Sequence, residues 1–556
     1  MASVYLLLAA LLLSASPDSL AFVQRPTKCC LPCARGHWSM LLVDKQPSND
    51  ALATEKLRVS VPLSTAVIED KTYNGSSSPN AFSMTTEEAP VESNYSPLIF
   101  MGKASLVGLF TGLLVVIFKT ALGITSALFY ENLAALLPKP AFYWPLALYP
   151  ILGASIVSVL TYFRGQSIRD GIDFIARSID ANEDDENGER SIAYNPVSHF
   201  FRICAAIATL GSGISLGPEG SAVEIGAGVS RMLVGAKSAV KERHHLFLAG
   251  TAAGVSAGFN APISGVFFAI ECGNRYLNKN TIKLDENAPD GPRADIAGIV
   301  IAAAIADLIV GLGGEETNML TVQGNLYAMA SPIFELSLYI GLGLISGLIS
   351  VAFTSLREWF SQLFTSEKFS SISPALLPLL GGVVCGVIAV FFPQTLFVGY
   401  TTLDQLLGGK IVLPTLLLVQ LLVLKIFLSS FSLGTGLIGG VFAPALFFGA
   451  TAGTAYHDVI AGGLAYLNEY LSHATLLVNH PGFAATLPSF LSMASAPAYA
   501  TVGAAATLGA LFRAPLTSSM LMFEITQNHD IVLPVLISSG LAGLIAEIAS
   551  HPRKQW

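Results

Sequence analysis

The sequence predicts an all-α, polytopic membrane protein built as two related halves of tilted and broken helices. Three observations carry that prediction. Charged residues make up 12% of the chain and hydrophobic ones 52%, where a soluble domain carries about 25% charged residues. Uncharged runs at Ala141–Phe163, Ser373–Leu403, Ile426–Tyr456 and His473–Phe512 each reach the roughly 20 residues a helix needs to cross the hydrocarbon core. Several exceed one crossing and carry Gly and Pro, a pattern of broken helices that survive at membrane depth only where the irregular backbone is buried in protein or lines a cavity. The third observation is internal repetition.

The front of the chain is a leader. An apolar stretch, Val4–Leu13, precedes "SASPDSLAF", with small residues where a signal peptidase could cut. A signal peptide is therefore expected over residues 1–21. From Val23 the sequence "VQRPTKCCLPCARGHW" is basic and free of acids until Asp44, and a Ser/Thr-rich polar stretch continues to Pro97. A signal followed by such a transit-like segment (22–97) is similar to the bipartite leader of algae with secondary plastids. A plastid membrane, thylakoid or envelope, is the expected location, with an endomembrane or the plasma membrane as the alternative. The membrane domain is expected over residues 98–550, in halves of about 98–312 and 333–550, with a short tail at 551–556.

The net charge of −8 is concentrated in the loops "DANEDDENGER" and "LDENAPDGPRAD" and implies no nucleic-acid partner. Cys204, Cys272 and Cys385 are scattered singly, without metal-ligand or disulfide spacing. No cofactor is expected.

The halves echo one another. "AGFNAPISGVFFAIE" (Ala257–Glu271) matches "ALFRAPLTSSMLMFE" (Ala510–Glu524), each with an Ala-Pro pair and a Glu nine residues after the proline. "LGSGISLG" (Leu210–Gly217) matches "LGTGLIGG" (Leu433–Gly440) in the same order. The offsets, 253 residues from 257 to 510 and 223 from 210 to 433, put about 30 extra residues in the second half, around Leu467–Phe483. Repeated membrane halves with interrupted segments in corresponding places are the mark of a transport protein whose ion site lies at the repeat interface.

Each Gly-rich piece precedes a helix-compatible run, "SAVEIGAGVSRMLVG" in one half and "APALFFGATAGTA" in the other. The free N–H groups of a helix start, with the macrodipole, form a site for an anion. Two inverted halves aim two such starts at one place, and no lysine or arginine is then needed. Partial charges suit conduction, which requires binding weak enough for release. Glu219, inside "LGSGISLGPEGSAVEIG", is a carboxylate at membrane depth and so a functional candidate. Its oxygen can occupy the anion position at a helix start and compete with the permeant ion. Glu224 either faces a vestibule or pairs with Arg231.

These residues resemble the chloride channel (CLC) family of anion channels and anion/proton exchangers. The family's G(K/R)EGP motif is met as Gly217-Pro218-Glu219-Gly220-Ser221, and GxFxP as Gly440-Val441-Phe442-Ala443-Pro444. Both Ala-Pro segments are similar as well. The resemblance implies a homodimer with one pore per subunit, Glu219 as gating glutamate, and an anion held by the Val441 and Phe442 amides, with Gly217, Pro218 and Gly220 at the same site. The family's GSGIP motif is matched loosely by "RGQSIRDG", which brings Gln166 or Ser167 to the anion-coordinating place. The second glutamate that passes protons in the family's exchangers is replaced by Cys272, a thiol with an ordinary pKa near 8.5 and a poor proton carrier at neutral pH. This points to a passive channel, with Glu271 expected to cap or pair at a helix end. The family's pore tyrosine has no counterpart near the C-terminal end beyond Trp556, and the CBS modules of many eukaryotic members are not expected here.

His244 and His245, in "KERHH", are expected in a solvated connection, Lys119 and Lys425 are expected to snorkel to an interface, and Asn260 and Arg513 to serve helix ends. No Ser/His/Asp set, metal-spaced cluster or phosphate loop accompanies Glu219, which argues against an enzyme. The expected function is anion transport, of chloride and possibly of nitrate, through a Glu219-gated pore. A passive channel is favoured, and an anion/proton exchanger with a non-standard proton path is the alternative.

Overall fold

The computed structural model describes residues 97–133, 145–164, 171–180, 194–234, 238, 240–277, 291–313, 332–369, 372–478 and 492–550. The signal peptide, the transit-like segment apart from Pro97, the tail at 551–556, and the candidates Gln166 and Ser167 lie outside them.

The helices fall into two sets. The first comprises α1 (Pro97–Ala127), α2 (Pro145–Arg164), α3 (Ile172–Asp180), α4 (Pro196–Gly211), α5 (Glu219–Leu233), α6 (Val240–Phe259), α7 (Pro262–Phe268) and α8 (Gly291–Leu312). The second comprises α9 (Pro332–Thr365), α10 (Leu377–Phe391), α11 (Tyr400–Leu407), α12 (Thr415–Gly434), α13 (Phe442–Val478), α14 (Ala496–Phe512), α15 (Pro515–Thr526) and α16 (Val532–Ser550). Lengths differ by no more than about five residues position by position except at α13, which has 37 residues against 15 in α5 and so takes up most of the extra length expected there. Among the described residues, five stretches are long and apolar enough to cross a membrane: Leu98–Tyr130, Leu146–Arg164, Ile333–Thr365, Thr415–Gly434 and His529–Ser550.

The sequence dictates where the helices break. A residue before proline is pushed out of the α region, and proline itself suits the first helical turn. Ala261 (φ −137°, ψ 78°) and Ala514 (φ −131°, ψ 71°) obey this before Pro262 and Pro515. The residues just upstream, Asn260 (φ 55°) and Arg513 (φ 51°), turn left-handed and end α6 and α14. One short motif thus makes the same break in both halves.

Packing repeats with the sequence. Helix α1 lies on α8 as α9 lies on α16, α5 on α6 as α13 on α14, and α6 on α8 as α14 on α16. Among the described residues, α2 packs on α10 and α7 on α15 across the two sets, while α5 and α13 touch only narrowly, where they start. In these three pairs a helix meets its own counterpart, the contact pattern of a two-fold relation.

The structure overturns two expectations. Lys241–His245 form the first turns of α6 rather than a connection, and His244 and His245 are buried. These turns pack on α1, where Lys103 Nζ lies 2.5 Å from Glu242 and the Phe100 ring is edge-on to His245. Lys119 and Lys425 are also buried, Lys425 completely, and neither reaches an interface.

Candidate functional site

The site is built by two matching glycine turns. Gly213 and Gly436 hold corresponding places in "LGSG" and "LGTG" and adopt φ of 91° and 89°, backbone that favours glycine. Each turn redirects the chain after α4 or α12 so that the next segment runs to the molecular midline. There the segments meet. Gly217 N–H donates to Gly440 O at 2.8 Å and Gly440 N–H donates to Gly217 O at 2.6 Å, a reciprocal pair. A Cβ on Gly220 would stand 2.5 Å from Gly440 Cα, so only glycines allow the two backbones to approach this far.

Beyond the crossing the two helices start, α5 at Glu219 and α13 at Phe442. Gly217, Pro218, Glu219, Gly220, Val441 and Phe442 are therefore brought together. Pro444, in the first turn of α13, has no N–H to leave unsatisfied. The Phe442 ring anchors that start by stacking on Phe512 with centroids 3.9 Å apart and packing against Phe259 and Phe268.

Glu219 is 1% exposed. Its side chain leaves α5 and crosses to the start of α13. A Cβ built on Gly217 would lie 2.5 Å from Glu219 Oε2, 3.1 Å from Ala443 Cβ and 3.2 Å from Pro444 Cδ. The carboxylate thus lies over the first turn of the other half's helix, in the field of the Ala443 N–H. The other oxygen, Oε1, accepts a hydrogen bond from the Tyr400 hydroxyl.

Tyr400 was not foreseen. The family's pore tyrosine is expected near the C-terminal end, whereas this one opens α11, 181 residues from Glu219 in sequence. The available signal was "VGYTT", a Gly-Tyr pair closing the apolar run Ser373–Leu403.

The remaining acids sort differently. Glu224 pairs with Arg202 through two hydrogen bonds of 2.8 Å, a partner the sequence reading did not name. A planar guanidinium meets a carboxylate best in this two-point geometry. Glu271 accepts from Leu516 N (3.1 Å), Thr517 N (2.7 Å) and Thr517 Oγ1 (2.7 Å), capping α15. Glu524 does the same for α7, accepting from Ile263 N (2.9 Å), Ser264 N (2.8 Å) and the Ser264 hydroxyl. Cys272 is buried, its thiol 3.5 Å from Phe512 O.

The family model described as "Voltage gated chloride channel" matches residues 186–547. The chain belongs to this family. Among CLC relatives it is 32% identical over 474 residues to "Chloride channel protein CLC-e" of Arabidopsis thaliana, covering 83% of this chain and 61% of that protein. It is 28% identical over 462 residues to "H(+)/Cl(-) exchange transporter ClcA" of Cronobacter sakazakii, covering 81% and 87%. The chain spans less than two thirds of the length of CLC-e, and 41% of that of CLC-f from the same plant, to which it is 34% identical over 63% of its own length. Among solved structures, a slow cyanobacterial Cl⁻/H⁺ antiporter matches with a TM-score of 0.62 at 20% identity, over 82% of this chain and 96% of that one. A CLC-type fluoride/proton antiporter matches at 0.60 and 18%, over 82% and 97%. These two likenesses establish the shared CLC fold of inverted repeats.

Proposed function

We propose that the chain conducts small anions, chloride first and nitrate second, across a plastid membrane through a passive pathway that Glu219 closes. Each subunit of a homodimer carries its own pathway. The observation that carries this reading is the Gly217–Gly440 crossing, which sets the starts of α5 and α13 side by side with the Glu219 carboxylate over the second. Helix starts favour negative charge, and a carboxylate is the one negative group the chain itself supplies there. It occupies the position an anion would take, and removing it vacates that position.

Passive conduction is favoured over proton-coupled exchange by Cys272, which stands one residue after the cap Glu271 where exchangers of the family carry an acid. A thiol with an ordinary pKa near 8.5 stays protonated at neutral pH and relays protons poorly, and Glu271 is engaged with two backbone N–H groups and a hydroxyl. The group the structure places on Glu219 is a phenol hydroxyl, a weak nucleophile, so a transport role accounts for the site better than an enzymatic one. No cofactor is required.

The test is chloride efflux from liposomes holding the purified protein, with and without a proton ionophore, for the parent and for Glu219→Ala and Glu219→Gln. Efflux is expected in the parent without stoichiometric proton movement, and faster efflux in both variants. Proton flux that tracks chloride, with a reversal potential that shifts with pH, would establish exchange instead. No anion flux from any of the three would remove the reading.

A further inference from the structure

Resting on that reading, we propose that Tyr400 is the latch that holds Glu219 in the pathway, and that buried Lys425 sets the latch by gripping the loop that carries it. The latch is the hydroxyl that donates to Glu219 Oε1. A phenol is a neutral donor of one proton, so it steadies a carboxylate without adding the full positive charge that would trap an anion.

The loop before Tyr400 explains how the phenol is aimed. Residues 392–399 leave α10 through a 3-10 turn, Pro393–Thr395, and then run without regular structure to α11. Two of them sit in left-handed backbone, Phe397 (φ 54°) and Gly399 (φ 81°). At Phe397 this is an uncommon conformation for a residue with a side chain, and it persists only where the surroundings over-determine it. They do. Phe397 N–H donates to Gly213 O at 2.8 Å, in the glycine turn that leads to Glu219. Phe397 O accepts from Lys425 Nζ at 2.6 Å, and Thr395 O accepts from the same nitrogen at 2.9 Å.

Lys425 comes from α12 and is 0% exposed. A lysine buried at membrane depth is expensive and defaults to a functional role. Its ammonium group is held by two loop carbonyls and faces the Phe447 ring, 5.2 Å away. Phe447 closes the circuit, since a Cβ on Gly399 would lie 2.7 Å from its Cε2. Lysine, loop, ring and glycine together fix the direction in which the Tyr400 side chain leaves the chain. Lys425 is thus a positioning residue, acting on Glu219 through Tyr400.

The experiment is a set of efflux measurements on reconstituted full-length protein: Tyr400→Phe, Glu219→Ala, the double variant, then Lys425→Met and Lys425→Gln, each alone and combined with Tyr400→Phe. Tyr400→Phe removes one hydrogen bond to a charged group and is expected to raise chloride efflux, with a shift of roughly tenfold in the ratio of released to held Glu219. In the Glu219→Ala background it is expected to change nothing. Lys425→Met is expected to raise efflux when Tyr400 is present and to have no further effect once Tyr400→Phe is made. Lys425→Gln, which keeps an N–H donor for the carbonyls without the charge, is expected to fall closer to the parent.

Equal effects of Tyr400→Phe with and without the carboxylate, or no effect, would overturn the latch. Equal effects of Lys425→Met with and without the hydroxyl would overturn the positioning role and assign the lysine to direct electrostatic attraction. Should Lys425→Met not fold, by gel filtration in detergent, the lysine arm is decided by Lys425→Gln and the latch by the Tyr400 and Glu219 pair. Faster efflux in Glu219→Ala with an unresponsive Tyr400→Phe would sink the latch alone, whereas absence of anion efflux in every variant would sink the proposed function itself.

Discussion

At the scale of single residues, the crossing depends on absent side chains. Gly440 Cα and Gly220 Cα pass so closely that a Cβ on Gly440 would stand 2.5 Å from Gly220 N and 2.8 Å from Gly220 Cα. Backbone atoms cannot swing aside as a flexible side chain would. Gly440→Ala must therefore part the two segments, with the reciprocal hydrogen bonds lost, at a cost at or above the 1–3 kcal/mol of ordinary overpacking. The expected outcome is a lower thermal unfolding midpoint in detergent and an anion efflux reduced even in the Glu219→Ala background; unchanged efflux there would show that the crossing does not shape the pathway. The importance of these glycines and of Glu219 was legible in the sequence, because a carboxylate among glycines at membrane depth is chemically expensive and so conspicuous. Tyr400 was not legible for the opposite reason. A tyrosine is unremarkable in an apolar run, and its meaning comes only from the fold that brings it to a carboxylate distant in sequence.

At the scale of elements, the paired "AP…E" segments prove to be a reciprocal clasp. α7 and α15 pack on one another, and the glutamate that follows each helix, or ends it, caps the start of the other. The sequence placed Glu271 at a helix end, but the matching role of Glu524 and the helix each acid caps are matters of tertiary placement. The first turns of α6 were misread for a related reason: charge in "KERHH" argued for solvent, while the structure buries both histidines beside α1. Each cap supplies a negative group to a helix start, worth about 1 kcal/mol or more on replacement. Glu271→Gln and Glu524→Gln are each expected to lower the unfolding midpoint measurably. Because the two helices touch, the double variant should depart from the sum of the singles. Glu271→Gln should leave proton movement in the efflux assay as it was, which separates a structural cap from a proton relay; a changed proton signal would restore Glu271 to the transport path.

At the scale of the whole molecule, the two-fold relation explains how irregular backbone survives inside an apolar body. Interrupted segments expose N–H and C=O groups that lipid cannot satisfy. Here each half supplies partners for the breaks in the other: Phe397 N–H donates to Gly213 O, Ser429 Oγ to Ser215 O at 2.8 Å, and Gly217 bonds with Gly440. The repeat itself was legible from two ordered sequence echoes, whereas the seam between halves was not, since it is made by small residues with no pattern of their own. Along α2 and α10, a Cβ on Gly386 would lie 3.1 Å from Ala147 Cα, with the Ala147 carbonyl closer still, and one on Gly382 would lie 3.2 Å from Pro150 C. In an apolar solvent, helices associate through such close backbone approach rather than by expelling water. Gly386→Val should therefore push the halves apart at the seam and lower the unfolding midpoint strongly, while Gly540→Ala in α16, where a Cβ meets nothing within 4 Å, should leave it unchanged. Comparing the two by thermal unfolding in one detergent isolates the seam from the general effect of adding carbon to a glycine. If both variants unfold at the parent's midpoint, close packing of α2 on α10 is not what joins the halves, and the burden falls on the crossing at Gly217 and Gly440 and on the α7–α15 clasp.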